Sequence, residues 1–397
     1  MQGAGHGQAE RNLSMKERDQ AFQYLKALAI LMVIDDHTGQ HFGCLTGIFP
    51  YDSFFMPLFV LISGYFFKDR GILPNIRQKI RHLLVPFIAW SVAGDLIAFI
   101  LNRAGIVNWY RSPLRIRNIV RLLTDGPLSS INGPAWFALM LFWISVVYCI
   151  AYRLLRLDKK IPGYAFLTVS VAFGFISLKL CMSGYNRNTY LLPVLRIVWY
   201  LQFYHIGVMF RKYWERGVRQ ARLLLICSLC VIVNAVLIRA AGDIRFISTS
   251  GMDRFHSWWI PLITSITGGL FWYKIMRFLA PRTGRIRIVD FIADNTFTIM
   301  CAHLMFAKIP EFFAYFQCLA GDPNYADFPV SDFQKSAWVS YNANTDLAGF
   351  FCALLGSLLA ACVIQKARRS IAARKNGRSR HNGDDAVGGT GSSALPS

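Results

Sequence analysis

K-A-L-A-I-L-M-V-I-D-D-H, from Lys26 to His37, and F-F-M-P-L-F-V-L-I-S-G-Y-F-F, from Phe54 to Phe67, decide what kind of chain this is. Two apolar segments flank a polar, glycine-bearing turn. The first segment carries a lysine near its start and the cluster Asp35, Asp36, His37 at its end. Ionisable groups inside an apolar segment of membrane length are costly to insert, which makes them functional candidates.

Composition extends this reading outward. Of 397 residues, 54% are hydrophobic and only 16% charged, against roughly a quarter charged in soluble domains. The mean hydropathy is +0.36. A formal charge of +21 would suggest nucleic acid on a soluble chain. Here the Lys and Arg residues sit between apolar runs, as positive loops at a bilayer surface do, so a lipid bilayer and not nucleic acid is the expected partner. The 9 cysteines are odd in number and mostly lie inside apolar runs, where they pack as small side chains. Cys227 and Cys230 have CxxC spacing without a second pair or a histidine couple, so no metal is expected there.

In chain order, residues 1–20 read as a polar cytoplasmic tail with no cleavage site after the first apolar run. Ten segments then reach, or nearly reach, the roughly 20 helical residues a bilayer core requires: 21–40, 53–69, 84–102, 134–152, 162–181, 190–210, 221–240, 256–278, 288–308 and 347–365. The expected fold is all-α, a polytopic membrane protein of about ten transmembrane helices in one domain over 21–365. The tail 366–397 is basic, then Gly/Ser-rich, and reads as disordered. Lys and Arg are more than twice as frequent in the loops on the side of the N-terminus, which predicts a multi-pass protein of the cell membrane with both termini cytoplasmic. The loop 103–133, with Arg111, Arg115, Arg117 and Arg121, breaks that rule and suggests an interfacial helix. The loop 309–346 is aromatic enough to cap the outer face.

On a helix, Lys26 and His37 leave the same face within about 20° and stand roughly 16 Å apart along the axis. His37 is the best general-base candidate, because imidazole takes and returns a proton near neutral pH. Asp36 and Asp35 point about 100° and 160° away from it. Lys26 is either a substrate contact or a lysine snorkelling to the interface. His37 and His41 have helical metal-ligand spacing but lack a third ligand. Asp95, Arg196, Gln202, His205 and His303 also interrupt apolar segments, and together they suggest a polar cavity between helices. Arg77, Lys79, Arg81 and His82 form either ordinary positive-inside charge or an anion site for a phosphorylated ligand.

These residues resemble the membrane-bound acyltransferase 3 family, in particular its fucose 4-O-acetylase-like branch. Its first helix has a basic residue, ten others, then histidine, matched by Lys26 and His37. Pro57 to Tyr65, Arg81 to Phe87, Trp136 to Phe142, Phe203 to Arg211 and Asn295 to His303 match further family motifs in order. The Asp35–Asp36 pair departs from the family's usual apolar or glycine context. The resemblance implies transfer of an acyl group, usually acetyl, from acyl-CoA (acetyl-CoA) as donor substrate to a hydroxyl of a cell-surface or lipid-linked glycan. No bound cofactor is expected. His37 is the implied catalytic residue, and Lys26, Ser63, Arg77, Arg81 and Trp136 are the implied substrate or acyl-CoA contacts. Asp35, Asp36, Asp95, His205 and His303 are left without an assigned role. The alternatives are a proton-coupled transporter or lipid-glycan flippase relaying protons through Asp35, Asp36, His37 and Asp95, and a scaffold acting through 309–346.

Overall fold

The computed structural model describes residues 19–43, 45–110, 116–246 and 251–387. Most of the expected N-terminal tail lies outside them. Among the described residues there are helices and no strands. In chain order the helices are α1 (Gln20–Asp36), α2 (Phe55–Tyr65), α3 (Ile72–Lys79), α4 (Val85–Arg103), α5 (Ile116–Thr124), α6 (Trp136–Leu154), α7 (Lys160–Met182) and α8 (Leu191–Met209). They continue with α9 (Glu215–Gln220), α10 (Leu223–Ala241), α11 (Ile260–Thr283), α12 (Arg287–Asp294), α13 (Thr296–Ala307), α14 (Ile309–Leu319), α15 (Val330–Lys335) and α16 (Ala343–Val387).

Each of the ten apolar segments contains a helix. Seven are long and apolar enough to cross a membrane: Ile72–Arg103, Ser130–Leu154, Lys160–Met182, Leu191–Gln220, Leu223–Ala241, Thr296–Leu319 and Ala343–Ser370. The other three have identifiable reasons for falling short. α1 has 17 residues and carries Lys26, Asp35 and Asp36; α2 has 11; α11 ends in Lys274, Arg277 and Arg282.

Lipid-facing surfaces are visible as exposed apolar stripes at helical spacing: Val92, Leu96 and Ile100 on α4, Leu225, Leu229, Ile232 and Val236 on α10, and Phe351, Leu355, Leu359 and Val363 on α16. Large side chains three and four apart on an outer face belong to helices bathed in hydrocarbon. α1 is the opposite case. It is apolar all round, buried along most of its length, and packed by α2, α11, α12, α13 and α16. The protein is therefore a multi-pass membrane protein built around its first helix.

Close backbone approach fixes α2 against α8. A methyl group on Gly64 would collide with the Tyr204 carbonyl, and one on Gly207 with the Leu61 carbonyl. Reciprocal glycines let two helices touch through their backbones, where dispersion contact is greatest. A π-helical turn at Ile80–Leu84 joins α3 to α4, with the Val85 N–H reaching Ile80 O. Pro86 follows; it has no N–H to return to His82 and its ring crowds that carbonyl, so the widened turn absorbs the break.

Three boundaries differ from expectation. The segment 288–308 is interrupted at Asn295, and its spanning part runs instead through Thr296–Leu319. The loop 309–346 accordingly contains α14 and α15. It forms a second small core with Trp109, Ile131, Tyr315, Phe328 and Phe333, tied by the Trp109 indole N–H to Phe333 O at 2.8 Å and Asn108 N–H to Gln334 O at 2.7 Å. This core caps the His37 end of the bundle. Finally, the backbone of the C-terminal tail stays helical to Val387 rather than ending near 365; its Ala, Lys, Arg and Gln content favours helix. Within 103–133, helix α5 occupies the basic stretch from Ile116; Arg111 and Arg115 lie outside the described residues.

Candidate active site

Helix α1 is registered on α12 at its start: Gln20 Nε2 donates to Asp290 Oδ1 at 3.0 Å and Gln23 Nε2 to Asp294 Oδ1 at 3.1 Å. Lys26, one turn further, is half-buried and is not free of partners. From there α1 and α13 rise together toward the cap. The helix stops where the Thr38 hydroxyl turns back to Ile34 O at 2.8 Å and Gly39 adopts φ +95°. His37 is the C-cap residue.

The His37 ring lies parallel to that of His303 on α13, with 1° between planes and 5.2 Å between centroids, and Trp338 of the cap meets it edge-on at 5.5 Å. Asp36 Oδ2 is 4.0 Å from His37 Nδ1, beyond hydrogen-bonding distance. The Asp36 carboxylate is held instead by Gln40 Nε2 at 2.8 Å. Asp35 faces the other way. It accepts the backbone N–H groups of His41 at 2.9 Å and Phe42 at 3.1 Å, and also the Tyr51 hydroxyl. That carboxylate closes the loop after α1.

His303 is wholly buried. Its Nδ1 faces Ile299 O at 2.9 Å. A carbonyl only accepts, so Nδ1 carries the hydrogen and Nε2 is a bare acceptor. Nε2 has no hydrogen-bond partner among the described residues. The same is true of the Ser91 and Ser357 hydroxyls and of both amide atoms of Asn132. Ser91 is on α4, Asn132 is at the 130–135 turn and Ser357 is on α16, all elements around α13. Asn132 and Met305 both pack over Gly94, whose missing Cβ makes room for them. An unsatisfied polar group at hydrocarbon depth costs several kcal/mol, so this concentration sets a polar cluster apart from the apolar packing around it.

The cap is latched beside this cluster. Lys308 Nζ donates to Glu311 Oε1 at 2.9 Å and to Val339 O at 2.9 Å, with both side chains buried. Val339 follows Trp338, so the buried lysine fixes the indole over His37.

At the opposite end, Arg81 and His82 project from the π-helical turn. With Trp90, Asn295, Phe297 and Arg368 they line a cavity of about 480 Å³, and with Arg77 an adjoining groove of about 720 Å³. Asn295, which breaks α12 from α13, is tied to α16 by Gln365 Nε2 at 3.0 Å. The cavity therefore opens at the foot of the helix that carries His303.

Other expected site residues lie elsewhere. The Ser63 hydroxyl bonds back to Phe59 O at 2.8 Å within α2. Trp136 carries the Arg196 guanidinium over its ring at 5.1 Å. Asp95 accepts from Ser129 N–H at 3.0 Å and so anchors the turn bearing Asn132. His205 is saturated: Nε2 donates to Gly163 O at 2.8 Å and Nδ1 accepts from the Tyr148 hydroxyl at 2.9 Å. Among the described residues no cluster of His, Cys, Asp or Glu could hold a metal ion. Asn132, Lys308 and Trp338 belong to the site but carry weak sequence signals. N-G-P at 132–134 reads as an ordinary turn, Lys308 reads as the last residue of an apolar segment, and Trp338 lies in what reads as a loop.

A helical membrane protein with an imidazole pair at one end of its central helix and a basic, aromatic cavity at the other has the parts of a group-transfer enzyme. A family model described as an acyltransferase domain matches residues 19–366, and the chain belongs to this acyltransferase 3 family. It is a membrane acyltransferase that transfers acyl groups other than aminoacyl groups. No curated protein sequence and no solved structure matches the chain.

Proposed function

We propose that the protein is an O-acyltransferase moving an acyl group, acetyl in the simplest case, from acyl-CoA to a hydroxyl of a cell-surface or lipid-linked glycan. The observation that carries this reading is the stacked pair of His37 and His303, one ring half-exposed and the other buried with Nε2 unpartnered. The donor enters at the cavity of Arg81, His82 and Arg368, whose cations suit phosphates and whose Trp90 and Phe297 suit a base. The positive loops surround this end, so it faces the cytoplasm of a cell membrane with both termini inside.

His37 removes the proton from the acceptor hydroxyl, and that oxygen attacks the thioester carbonyl. The carbon–sulfur bond then breaks, and the departing thiolate takes the proton back from the imidazolium. The Asp36 carboxylate lies nearer Nδ1 and favours the proton there, leaving His37 Nε2 as base. His303 lies against His37 and holds its plane. The transporter alternative relays protons through Asp35, Asp36, His37 and Asp95, and it is less favoured because the Asp35 carboxylate is engaged by three donors of the 41–51 loop.

The test is His37→Ala in the purified full-length protein. Transfer from acetyl-CoA to surface glycan, read by mass spectrometry and by release of CoA thiol, falls by about 10²-fold or more with unchanged melting temperature. Unchanged acylation at normal protein levels refutes the role of His37.

A further inference from the structure

We infer that Trp338 is the acceptor platform: a pyranose ring of the acceptor lies against its indole and thereby offers a hydroxyl to His37. This rests on the O-acyltransferase reading and specifies its second substrate.

Trp338 combines three features that packing alone does not call for. It is 52% exposed, although it belongs to a cap with its own apolar core. Its indole lies against Gly133, where a Cβ would approach Trp338 Cζ2 to 2.7 Å, so the ring is backed by bare main chain. It is also held from behind, since Lys308 binds the Val339 carbonyl from inside a buried ion pair. A large side chain left in the open yet fixed on two sides is preorganised for a ligand, because no ordering cost remains at binding.

The rim gives the ligand's chemistry. Asp36 and Gln40 are joined at 2.8 Å beside His37, and Asp346 is joined to Ser340 at 2.6 Å, two residues beyond Trp338. Gly39 sits against both His41 and Asp346, which brings the two strips of polar groups together. Carboxylates and an amide accept and donate to adjacent hydroxyls, while an aromatic plane accepts the apolar C–H face of a ring. A pyranose presents that combination: one C–H face, hydroxyls around the edge, and no charge to conflict with the two carboxylates. The indole that meets His37 edge-on thus doubles as the surface that sets which hydroxyl is acylated.

The experiment uses the full-length protein in detergent, labelled with 5-fluorotryptophan, and a panel of methyl hexopyranosides as probes. The fluorine resonance missing from Trp338→Phe belongs to this indole. Titration shifts it for at least one glycoside and leaves that of Trp258, on a distant exposed site, in place. The shift persists in His37→Ala. With acetyl-CoA as donor, Trp338→Ala raises KM for that glycoside by about ten-fold, leaves kcat within about three-fold and does not alter KM for acetyl-CoA. Lys308→Met, which loosens the latch, raises the same KM by less. A resonance unmoved across the panel overturns the platform, and so does a Trp338→Ala variant that loses kcat at constant KM, since that is the behaviour of a wall for His37. A shifting Trp338 with an active His37→Ala would instead refute the general-base assignment and leave the platform standing.

Discussion

His205 on α8 and His303 on α13 are both wholly buried in apolar helices, and in sequence they are equivalent intruders. In the folded protein they part company. Both nitrogens of His205 are used, one by Gly163 O and one by the Tyr148 hydroxyl, inside a box of aromatic rings. His303 uses one nitrogen and stacks on His37, with the other unpartnered among the described residues. A membrane interior has no water to satisfy leftover groups, so a closed hydrogen-bond inventory marks a histidine that holds structure. An open one marks a polar group kept for something else, at a cost in stability.

The largest expected effects come from exchanging these two residues for phenylalanine. His303→Phe lowers acyl transfer by about 10²-fold while the melting temperature stays level or rises, because an unpaired buried acceptor is removed. His205→Phe does the reverse. It strands the Tyr148 hydroxyl and the Gly163 carbonyl, costs about 2–4 kcal/mol, and leaves activity per folded molecule near the wild-type value. Activity assays normalised to folded protein, beside thermal melts, decide between them. A destabilised but active His303→Phe breaks the comparison.

A second contrast is between neighbours. Asp35 accepts three hydrogen bonds that close the loop to Tyr51, whereas among the described residues Asp36 accepts one, from Gln40, and lies near His37. Asp35→Ala leaves two N–H groups and a hydroxyl unpaired and costs about 3 kcal/mol, seen as loss of folded protein in detergent. Asp36→Asn keeps the fold and reduces kcat by about ten-fold, because a carboxylate no longer favours the correct tautomer of His37. Equal stability losses in both variants would remove the division of labour.

Much of this was legible beforehand for physical reasons. Apolar runs of membrane length have little choice but to be helices, so the all-α membrane fold could be read directly, whereas seven of the ten segments give helices long and apolar enough to cross a bilayer. What could not be read depends on contacts between remote segments. The stacking of His303 on His37 joins α13 to α1, and the latch of Lys308 on Val339 arises only once the cap folds back over the bundle. The role of Asp35 was hidden because helix geometry says where a side chain leaves the helix but not which loop returns to meet it. The motifs around Ser63 and Trp136 likewise do not reveal their neighbours: the serine hydroxyl bonds within its own helix and the tryptophan carries Arg196 over its ring.

The smallest effect concerns Asp52, a buried carboxyl on the same loop for which neither structure nor chemistry has an evident use. Burial, with the nearby Asp36 charge second, pushes it up to about 7. A carboxyl whose folded value is raised binds its proton more tightly folded than unfolded. Its contribution is therefore fully present below the unfolded value and is lost as pH rises through the folded one. Wild-type stability accordingly declines between about pH 4 and pH 7 on account of this group and levels off above. Asp52→Asn cannot titrate, so its advantage in melting temperature over wild type grows across that window and then stays constant, with activity unchanged. If activity falls instead, Asp52 joins His303 as a buried group whose cost in stability is the counterpart of a function.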